Sequence, residues 1–235
     1  MTIAIVKFPG TNSEKDVLRA LSLIPGTRPF VALSQMGSKI LQEADALVIP
    51  SGASIEEYVN VGAEKWIDSL KDAIQEIAES GKPILGIGNG VQILTRFGLL
   101  PGQLRMNKNG RFICKWVYLR VCEDPTIFTE GLEGLVIRIP IAHSHGRFHF
   151  KKKEFERINQ YRGVVFRYCN QEGESIPEAN PNGSIDNIAG VKNEAGNILG
   201  IIPQPERATR AELTSSDGLI LLESFVRSIK SRSLS

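Results

Sequence analysis

Hydrophobic residues follow two different spacings through the first hundred residues of the chain. Short continuous apolar runs predict buried β-strands, whereas apolar residues at intervals of three and four, with polar residues between them, predict helices. Strands that alternate with helices are typical of parallel βαβ units, so this half predicts a doubly wound α/β fold. The predicted strands are Thr2–Phe8, Pro29–Leu33, Ala46–Pro50 and Pro83–Ile87, and the predicted helices are Ser13–Ile24, Trp66–Ser80 and Asn89–Phe97.

The second half of the chain has longer extended runs and fewer helical ones. Two long runs predict strands, a later pair of short runs predicts a hairpin that turns at Glu194–Gly196, and a final amphipathic stretch predicts a closing helix. A polar segment rich in Pro, Gly and Asn is interpreted as a loop, not as a linker between domains. We therefore expect one domain over residues 1–235, with a flavodoxin-like, mostly parallel sheet and antiparallel additions. In chain order these segments are 112–122, 135–150, 170–187 (the loop), 188–203 and the helix after Ser216–Asp217.

Composition and charge exclude several classes of function. The 235 residues carry a formal net charge of +2 at pH 7, which is too small to favour a nucleic acid as the main partner. No apolar run approaches the roughly 18 residues of a membrane-spanning helix, and the chain begins directly as a strand, without the pattern of a signal peptide. The three cysteines have no CxxC spacing, which favours reduced thiols in the cytoplasm. Cys114 lies on a predicted strand and is expected to be a buried structural thiol.

The segment GKPILGIGNGVQIL, residues 81–94, has the layout of a nucleophile elbow. In such an elbow an apolar strand enters a sharp turn, a helix follows, and the turn presents its central residue as the nucleophile. The central residue here is Gly88, which has no side chain. A positive φ at this position is costly for most residues, but glycine adopts it with little penalty. We therefore interpret the turn as a structural junction that has kept its shape without its nucleophile.

Ligands of open α/β sheets bind at the carboxyl ends of the parallel strands. Three predicted turns lie at that side of the sheet, namely Pro9–Asn12, Pro50–Ser54 and Gly86–Gly90. The chain returns to the same rim after its last hairpin strand, at Ile202–Glu206. The sequence thus predicts that these four segments form one site.

Motifs spread over nearly the whole chain occur together in one order: VKFPGTNSEKD, GKPILGIGNGVQIL, LLPGQLRMNKNGRFICKWVYL, IPIAHSHGRF, NPNGSIDNIAGVKNEAGNILGIIPQPERA and SSDGLILLESF. In this combination the chain resembles the glutaminase subunits of phosphoribosylformylglycinamidine synthase, which are class I glutamine amidotransferases. The resemblance implies the class I fold and a Cys–His–Glu triad that releases ammonia from glutamine. It also implies an ATP-dependent synthetase subunit as partner, a small bridging subunit as a further candidate partner, and no cofactor.

The resemblance assigns the three catalytic positions to residues of this chain. The nucleophilic Cys falls on Gly88, the His falls on Gln204, and the acid falls on Glu206, which is retained. Gly88 offers no nucleophile, and the amide of Gln204 cannot exchange a proton with a thiol or with leaving ammonia near neutral pH. The chain is therefore expected not to hydrolyse glutamine. The oxyanion-hole and substrate positions are Gly52, Asn89 and Gln92, with Ser51 where the family usually has Gly.

Three functional hypotheses remain open at this point. In the first, the chain is a degenerate subunit that holds the synthase together or shapes an ammonia path, while free ammonia supplies the nitrogen. In the second, it is an active glutaminase with an unrecognised nucleophile, for which Cys114 and Ser51 are the candidates. In the third, it is a non-enzymatic module that binds glutamine or another small amide and regulates a partner.

Three histidines crowd one segment, at His143, His145 and His149. Residues 143 and 145 of a continuous strand share a face, on which two imidazoles could bind zinc. The alternative is a hydrogen-bonded or interface role without a metal. We favour this alternative, so no metal site is predicted.

Overall fold

The computed structural model describes residues 1–33, 39–53 and 67–232. Its strands are β1 (Thr2–Lys7), β2 (Arg28–Leu33), β3 (Ala46–Ile49), β4 (Ile84–Ile87), β5 (Gln103–Arg105), β6 (Ile113–Val121), β7 (Val136–His143), β8 (Arg147–His149), β9 (Val164–Cys169), β10 (Ile188–Lys192) and β11 (Ile198–Ile201). The α-helices with described bounds are α1 (Glu14–Ser22), α2 (Lys39–Gln42), α3 (Lys71–Glu79), α4 (Asn89–Arg96), α5 (Lys152–Gln160) and α6 (Asp217–Arg232). None of the helices in these residues is long and apolar enough to cross a membrane.

The parallel half of the large sheet has the strand order β2-β1-β3-β4-β11. Neighbouring strands in this half are all paired in parallel. The chain winds outward in both directions from β1 and β3, which is the topology of a flavodoxin-like sheet. The predicted α/β class and mostly parallel core are therefore confirmed. The single helix predicted over Trp66–Ser80 is wrong at its start, because Ser69 and Leu70 form a turn and α3 begins only at Lys71; Trp66 itself lies outside the described residues.

The same sheet continues beyond β11 with β10, β9, β6 and β7, which are all antiparallel to their neighbours. The predicted hairpin is formed by β10 and β11. Neither β9 nor α5 was predicted as an element with its own bounds. The expectation of one extended run over 135–150 is wrong, because β7 ends at His143 and β8 then leaves the large sheet to pair with β5.

Apolar side chains are buried on both faces of the large sheet, which explains why the parallel strands are nearly continuous hydrophobic runs in the sequence. Ile3 and Ile5 of β1 belong to one core, with Phe225 of α6. Ala4 and Val6 of the same strand belong to a second core, which includes side chains of α3 and α4. Successive residues of a strand point to opposite faces, so the two cores are separated by the sheet itself.

Cys114 is exposed, so the prediction of a buried structural thiol is wrong. It lies near the start of β6, where β7 still pairs with the strand. On the other side, β9 pairs only with residues Tyr118–Val121 of β6. The first residues of β6 therefore extend past the neighbouring strand and are not covered.

Candidate functional site

The turn between β4 and α4 has the shape of a nucleophile elbow. Gly88 has φ +54° and ψ −117°, a conformation that residues with a side chain rarely adopt. Its N–H donates to the Ile201 carbonyl oxygen at 2.8 Å, and its own carbonyl accepts from the Val91 N–H at 3.0 Å. The turn is thus fixed to β11 on one side and begins the helix on the other. The expected positive φ at Gly88 is confirmed.

Ser51 occupies the space that a side chain at residue 88 would need. A Cβ atom at residue 88 would lie 2.6 Å from the Ser51 Oγ and 3.0 Å from the Ser51 Cβ. These distances are well inside the optimal separation of non-bonded heavy atoms. Because the resemblance implies glycine at residue 51, the missing side chain at 88 and the added one at 51 are complementary changes.

A hydrogen-bond network holds Ser51 in this position. Its carbonyl accepts from the N–H groups of Asn12 and Ser13 at 3.2 and 3.3 Å, and from the Ser13 hydroxyl at 3.2 Å. Thr11 forms an isolated β-bridge with Gly52. Ser13 is the N-cap residue of α1, so the start of this helix is tied to the turn that follows β3. The described parts of the predicted rim therefore meet as expected, while Ser54 lies outside the described residues.

We expect Gly88→Ala to lower the free energy of unfolding by about 1–3 kcal/mol, from positive-φ strain together with the contact to Ser51. Ser51→Gly in the same chain should recover the share that comes from the contact. Urea unfolding of the two single variants, the double variant and the native chain measures this coupling. Gly98→Ala is the control, because Gly98 has φ +73° and open space around its Cβ position. Purely additive effects at residues 51 and 88 would contradict the contact.

Gln204 lies at the rim with its side chain buried. Its N–H donates to the Pro140 carbonyl oxygen at 2.9 Å, which fixes the PQPE segment against β7. Within the described residues, the Gln204 Oε1 has no hydrogen-bond partner. The position that the resemblance assigns to the base is therefore at the site, but it holds a group that does not titrate.

Glu206 lies on a 3-10 turn, Pro205–Arg207, and is 4% exposed. Neither of its carboxyl oxygens has a hydrogen-bond partner among the described residues. Burial raises the pKa of the Glu206 carboxyl to about 7, and its own backbone amide, the Arg207 charge and the nearby Ser13 hydroxyl lower the pKa only in part. The retained acid is thus buried without the imidazole that the resemblance places beside it.

A cavity of about 330 Å³ opens at this rim. It is lined by Ser51, Gly52, Asn89 and Gln204, whereas Gly88 and Glu206 do not line it. Gln92 is buried in α4 but does not line the cavity. Two lining residues, Phe112 and Arg207, were not singled out from the sequence, although each lies in a quoted motif. His143, which was considered from the sequence as a metal ligand or a hydrogen-bonded residue, also lines the cavity.

The protonation of His143 can be read from its neighbour Asn107. The Asn107 Nδ2 donates to the carbonyl oxygens of Arg111 and His143, at 2.8 and 2.9 Å, which fixes the amide orientation. The Asn107 Oδ1 then faces the His143 Nδ1 at 3.1 Å and accepts from it. Burial, opposed by a backbone hydrogen bond and assisted by the charge of His145, lowers the pKa of His143 to about 4. His143 is therefore a neutral, hydrogen-bonded residue of the cavity wall.

The other histidines do not join His143 on a strand face. The prediction that His143 and His145 share a face is wrong, because β7 ends at residue 143 and His145 lies in the bend before β8. The His145 Nδ1 lies 3.0 Å from the hydroxyl of Ser144, and His149 is on β8. Among the described residues, no group of three or more His, Cys, Asp or Glu side chains could hold a metal ion.

The fold and the elbow define a glutamine amidotransferase domain. The chain belongs to the CobB/CobQ-like glutamine amidotransferase family, whose model matches residues 1–217. Two similar curated proteins are each named phosphoribosylformylglycinamidine synthase subunit PurQ. The one from Methanopyrus kandleri is 43% identical over 95% of this chain and 96% of its own length. The one from Aquifex aeolicus is 43% identical over 96% of this chain and 99% of its own length.

A solved structure described as PurLQS from Thermotoga maritima contains a similar chain. The match covers 100% of this chain and 99% of that chain, with a TM-score of 0.81 and 35% sequence identity. These matches confirm the resemblance that was drawn from the motifs. The chain is a homologue of PurQ subunits over nearly its full length.

Proposed function

We propose that this chain acts as the glutaminase-like subunit of a phosphoribosylformylglycinamidine synthase in purine biosynthesis, and that it does so without hydrolysing glutamine. The PurQ relatives support the pathway and the complex. The PurLQS structure supports assembly with a synthetase subunit; a small bridging subunit is part of this proposal as a further partner. The cysteines are free and none is paired, which is in keeping with a cytoplasmic location.

The observation that carries this proposal is the Ser51 hydroxyl in the space of the missing nucleophile. A thioester with glutamine requires a thiolate at the elbow, a base that takes its proton and an acid that returns a proton to ammonia. Gly88 and Gln204 supply none of these three groups, and a Cβ atom at residue 88 would lie only 2.6 Å from the Ser51 Oγ. The chain therefore keeps the shape of the elbow and has lost its chemistry.

No other side chain takes over the nucleophile's role in this proposal. The neighbour of the Ser51 Oγ is the Asn89 Oδ1 at 3.5 Å, an amide oxygen that cannot serve as a general base near neutral pH. Cys114 is exposed near the start of β6 and does not line the cavity. Ammonia from solution then supplies the nitrogen, and the chain contributes structure to the complex.

We expect the purified chain, alone or with its synthetase and bridging subunits, to release no ammonia from glutamine above background. The assembled complex should form the amidine product from ammonium but not from glutamine, because only the glutaminase step is missing. Coupled ammonia assays and product formation measure the two steps separately. Turnover with glutamine in the usual enzyme range of about 1–1000 per second would contradict the proposal, as would a chain that never assembles with the synthetase.

A second function is favoured by the preserved cavity. Ser51, Asn12 and Asn89 place hydroxyl and amide groups around about 330 Å³, which is large enough for an amino acid. In this alternative the chain binds glutamine without turnover and regulates its partner. Calorimetric titration with glutamine distinguishes this alternative from a purely structural role in the complex. Saturable binding without ammonia release supports the regulatory module, whereas the absence of binding supports the structural role.

A further inference from the structure

A second cavity lies behind the PQPE segment, between α1 and the 3-10 turns that follow β11. It has a volume of about 320 Å³. Its polar lining is Asp16, Arg19, Glu206, Arg207, Thr209 and Arg210. It shares Arg207 with the cavity at the rim, but none of its other lining residues. We call it the arginine cavity.

Its positive charge exceeds its negative charge. Arg19 and Arg207 both face a single carboxylate, with nitrogen–oxygen distances to Asp16 of 3.6 and 3.5 Å. Both distances are long for ion pairs, because the single Asp16 carboxylate interacts with two guanidinium groups. Arg210 is exposed, and its guanidinium has no partner among the described residues. Three arginines against Asp16 leave an excess of two positive charges.

Glu206 does not restore the balance. Both of its carboxyl oxygens are buried and present almost no surface to an occupant of the cavity. Burial also raises the pKa of this carboxyl to about 7, so about half of it is neutral at pH 7. Thr209 also lines the cavity and adds a neutral hydroxyl group. The cavity therefore offers guanidinium and hydroxyl donors, with little competing negative charge.

The outer part of the arginine cavity is apolar. Leu23 and Leu213 line it and are 49% and 46% exposed, and Ala20 completes this wall. The volume falls at the lower end of the range for small-molecule sites and is much larger than one inorganic oxyanion needs. An occupant that fits both parts has an anionic group and a small uncharged body.

We propose that the arginine cavity binds a small phosphate monoester, with its phosphate on the Arg210 and Arg19 side and its body on the leucine wall. A phosphate monoester carries about −1.5 to −2 charges at neutral pH, which matches the excess of two positive charges better than one carboxylate does. The guanidinium fork also donates two parallel hydrogen bonds to a phosphate. The proposal does not require glutamine hydrolysis, although the arginine cavity contains Glu206 and shares Arg207 with the rim cavity.

The probe for the test is ribose 5-phosphate, with ribose and inorganic phosphate as comparisons. We expect the full-length chain to bind ribose 5-phosphate saturably in calorimetric titrations at low salt, and to bind it more weakly as salt increases. Inorganic phosphate should bind more weakly, and ribose should not bind. Arg210→Gln and Arg19→Gln remove exposed side chains outside the rim cavity, and each should weaken binding by about tenfold or more.

Arg28→Gln is the matched control, because Arg28 is also exposed and does not line the cavity. It should leave the affinity unchanged, and thermal unfolding should confirm that all three variants fold. Absence of binding at concentrations that would reveal a millimolar Kd would overturn the proposal. So would equal losses in Arg210→Gln and Arg28→Gln, which indicate unspecific attraction, and so would inorganic phosphate that binds as tightly as the ester.

Discussion

A chain that carries Ser51→Gly, Gly88→Cys and Gln204→His together should hydrolyse glutamine, whereas the native chain should not. The three changes supply a nucleophile, a base and the room that the nucleophile needs. Glu206 is already on the adjacent turn, and it can orient an imidazole at residue 204. We expect a rate on the order of 10³-fold or more above background, because members of a triad act as a unit.

The variants that keep Ser51 test the steric part of this argument. Gly88→Cys with Gln204→His would put the Cys Cβ 2.6 Å from the Ser51 Oγ, so the turn or Ser51 must move and the thiol is misplaced. We expect this double variant to show weak hydrolysis or none. Gly88→Cys alone should be inactive, because a thiol without a neighbouring base stays mostly protonated below its pKa of about 8.5.

Ammonia release and mass spectrometry of the glutamyl thioester measure the series. Ser51→Gly alone is the control for any effect of the enlarged cavity, and it should stay inactive. If the double variant is as active as the triple variant, Ser51 does not block the site. If the triple variant forms no thioester although it folds, the substrate-binding part of the site has been lost as well.

The parallel core could be predicted from the sequence because its strands are buried on both faces. β1, β3 and β4 are short apolar runs, and each is followed by a polar or Gly-rich turn and then a helical pattern. These local signals suffice for a doubly wound sheet. The elbow was equally local, since the glycine spacing alone indicates a turn that only glycine adopts easily.

The errors concern features that depend on contacts between distant segments. Cys114 was expected to be buried because it lies on a predicted strand, but it is exposed, in the part of β6 that precedes the pairing with β9. The strand around His143 was predicted to continue through His145, but side chains such as Asn107 bind the backbone at the bend, and the Gly146 N–H donates to the Asn107 Oδ1 at 3.3 Å. Such a contact links residues 39 positions apart, which no local pattern reveals.

The complementarity of Ser51 and Gly88 has the same origin. From the sequence, the serine is one altered residue in an oxyanion-hole turn, and the glycine is one missing nucleophile. Only the fold brings the two positions within contact distance, where a Cβ at residue 88 would lie 2.6 Å from the Ser51 Oγ. The prediction that the chain does not hydrolyse glutamine rests on the sequence alone, whereas the contact between Ser51 and a side chain at residue 88 is visible only in the fold.

The buried Glu206 carboxyl should make the protein less stable as the pH rises through neutrality. Its pKa is raised from 4.5 to about 7 in the folded chain, so the folded state holds this proton more tightly than the unfolded state does. The stabilisation is complete below about pH 4.5 and is lost as the pH rises through 7. Glu206→Gln cannot ionise, so near pH 8 it should be more stable than the native chain, by about 2–4 kcal/mol.

His143 has the opposite effect on stability. Its pKa is lowered from 6.5 to about 4 in the folded chain, so the folded state binds this proton more weakly and stability falls as the pH drops from 6.5 toward 4. The two slopes offset each other between about pH 4.5 and 6.5. In Glu206→Gln, only the His143 slope remains in this window, and stability should rise with pH there.

Urea unfolding of the native chain and of Glu206→Gln at pH steps from 5 to 8 measures both effects. Glu178→Gln is the control, because Glu178 is exposed and lies outside both cavities. It should follow the native profile throughout. A Glu206→Gln profile parallel to the native one above pH 6.5 would show that the folded chain ionises Glu206 as easily as the unfolded chain does, and that the carboxyl has a charge partner after all.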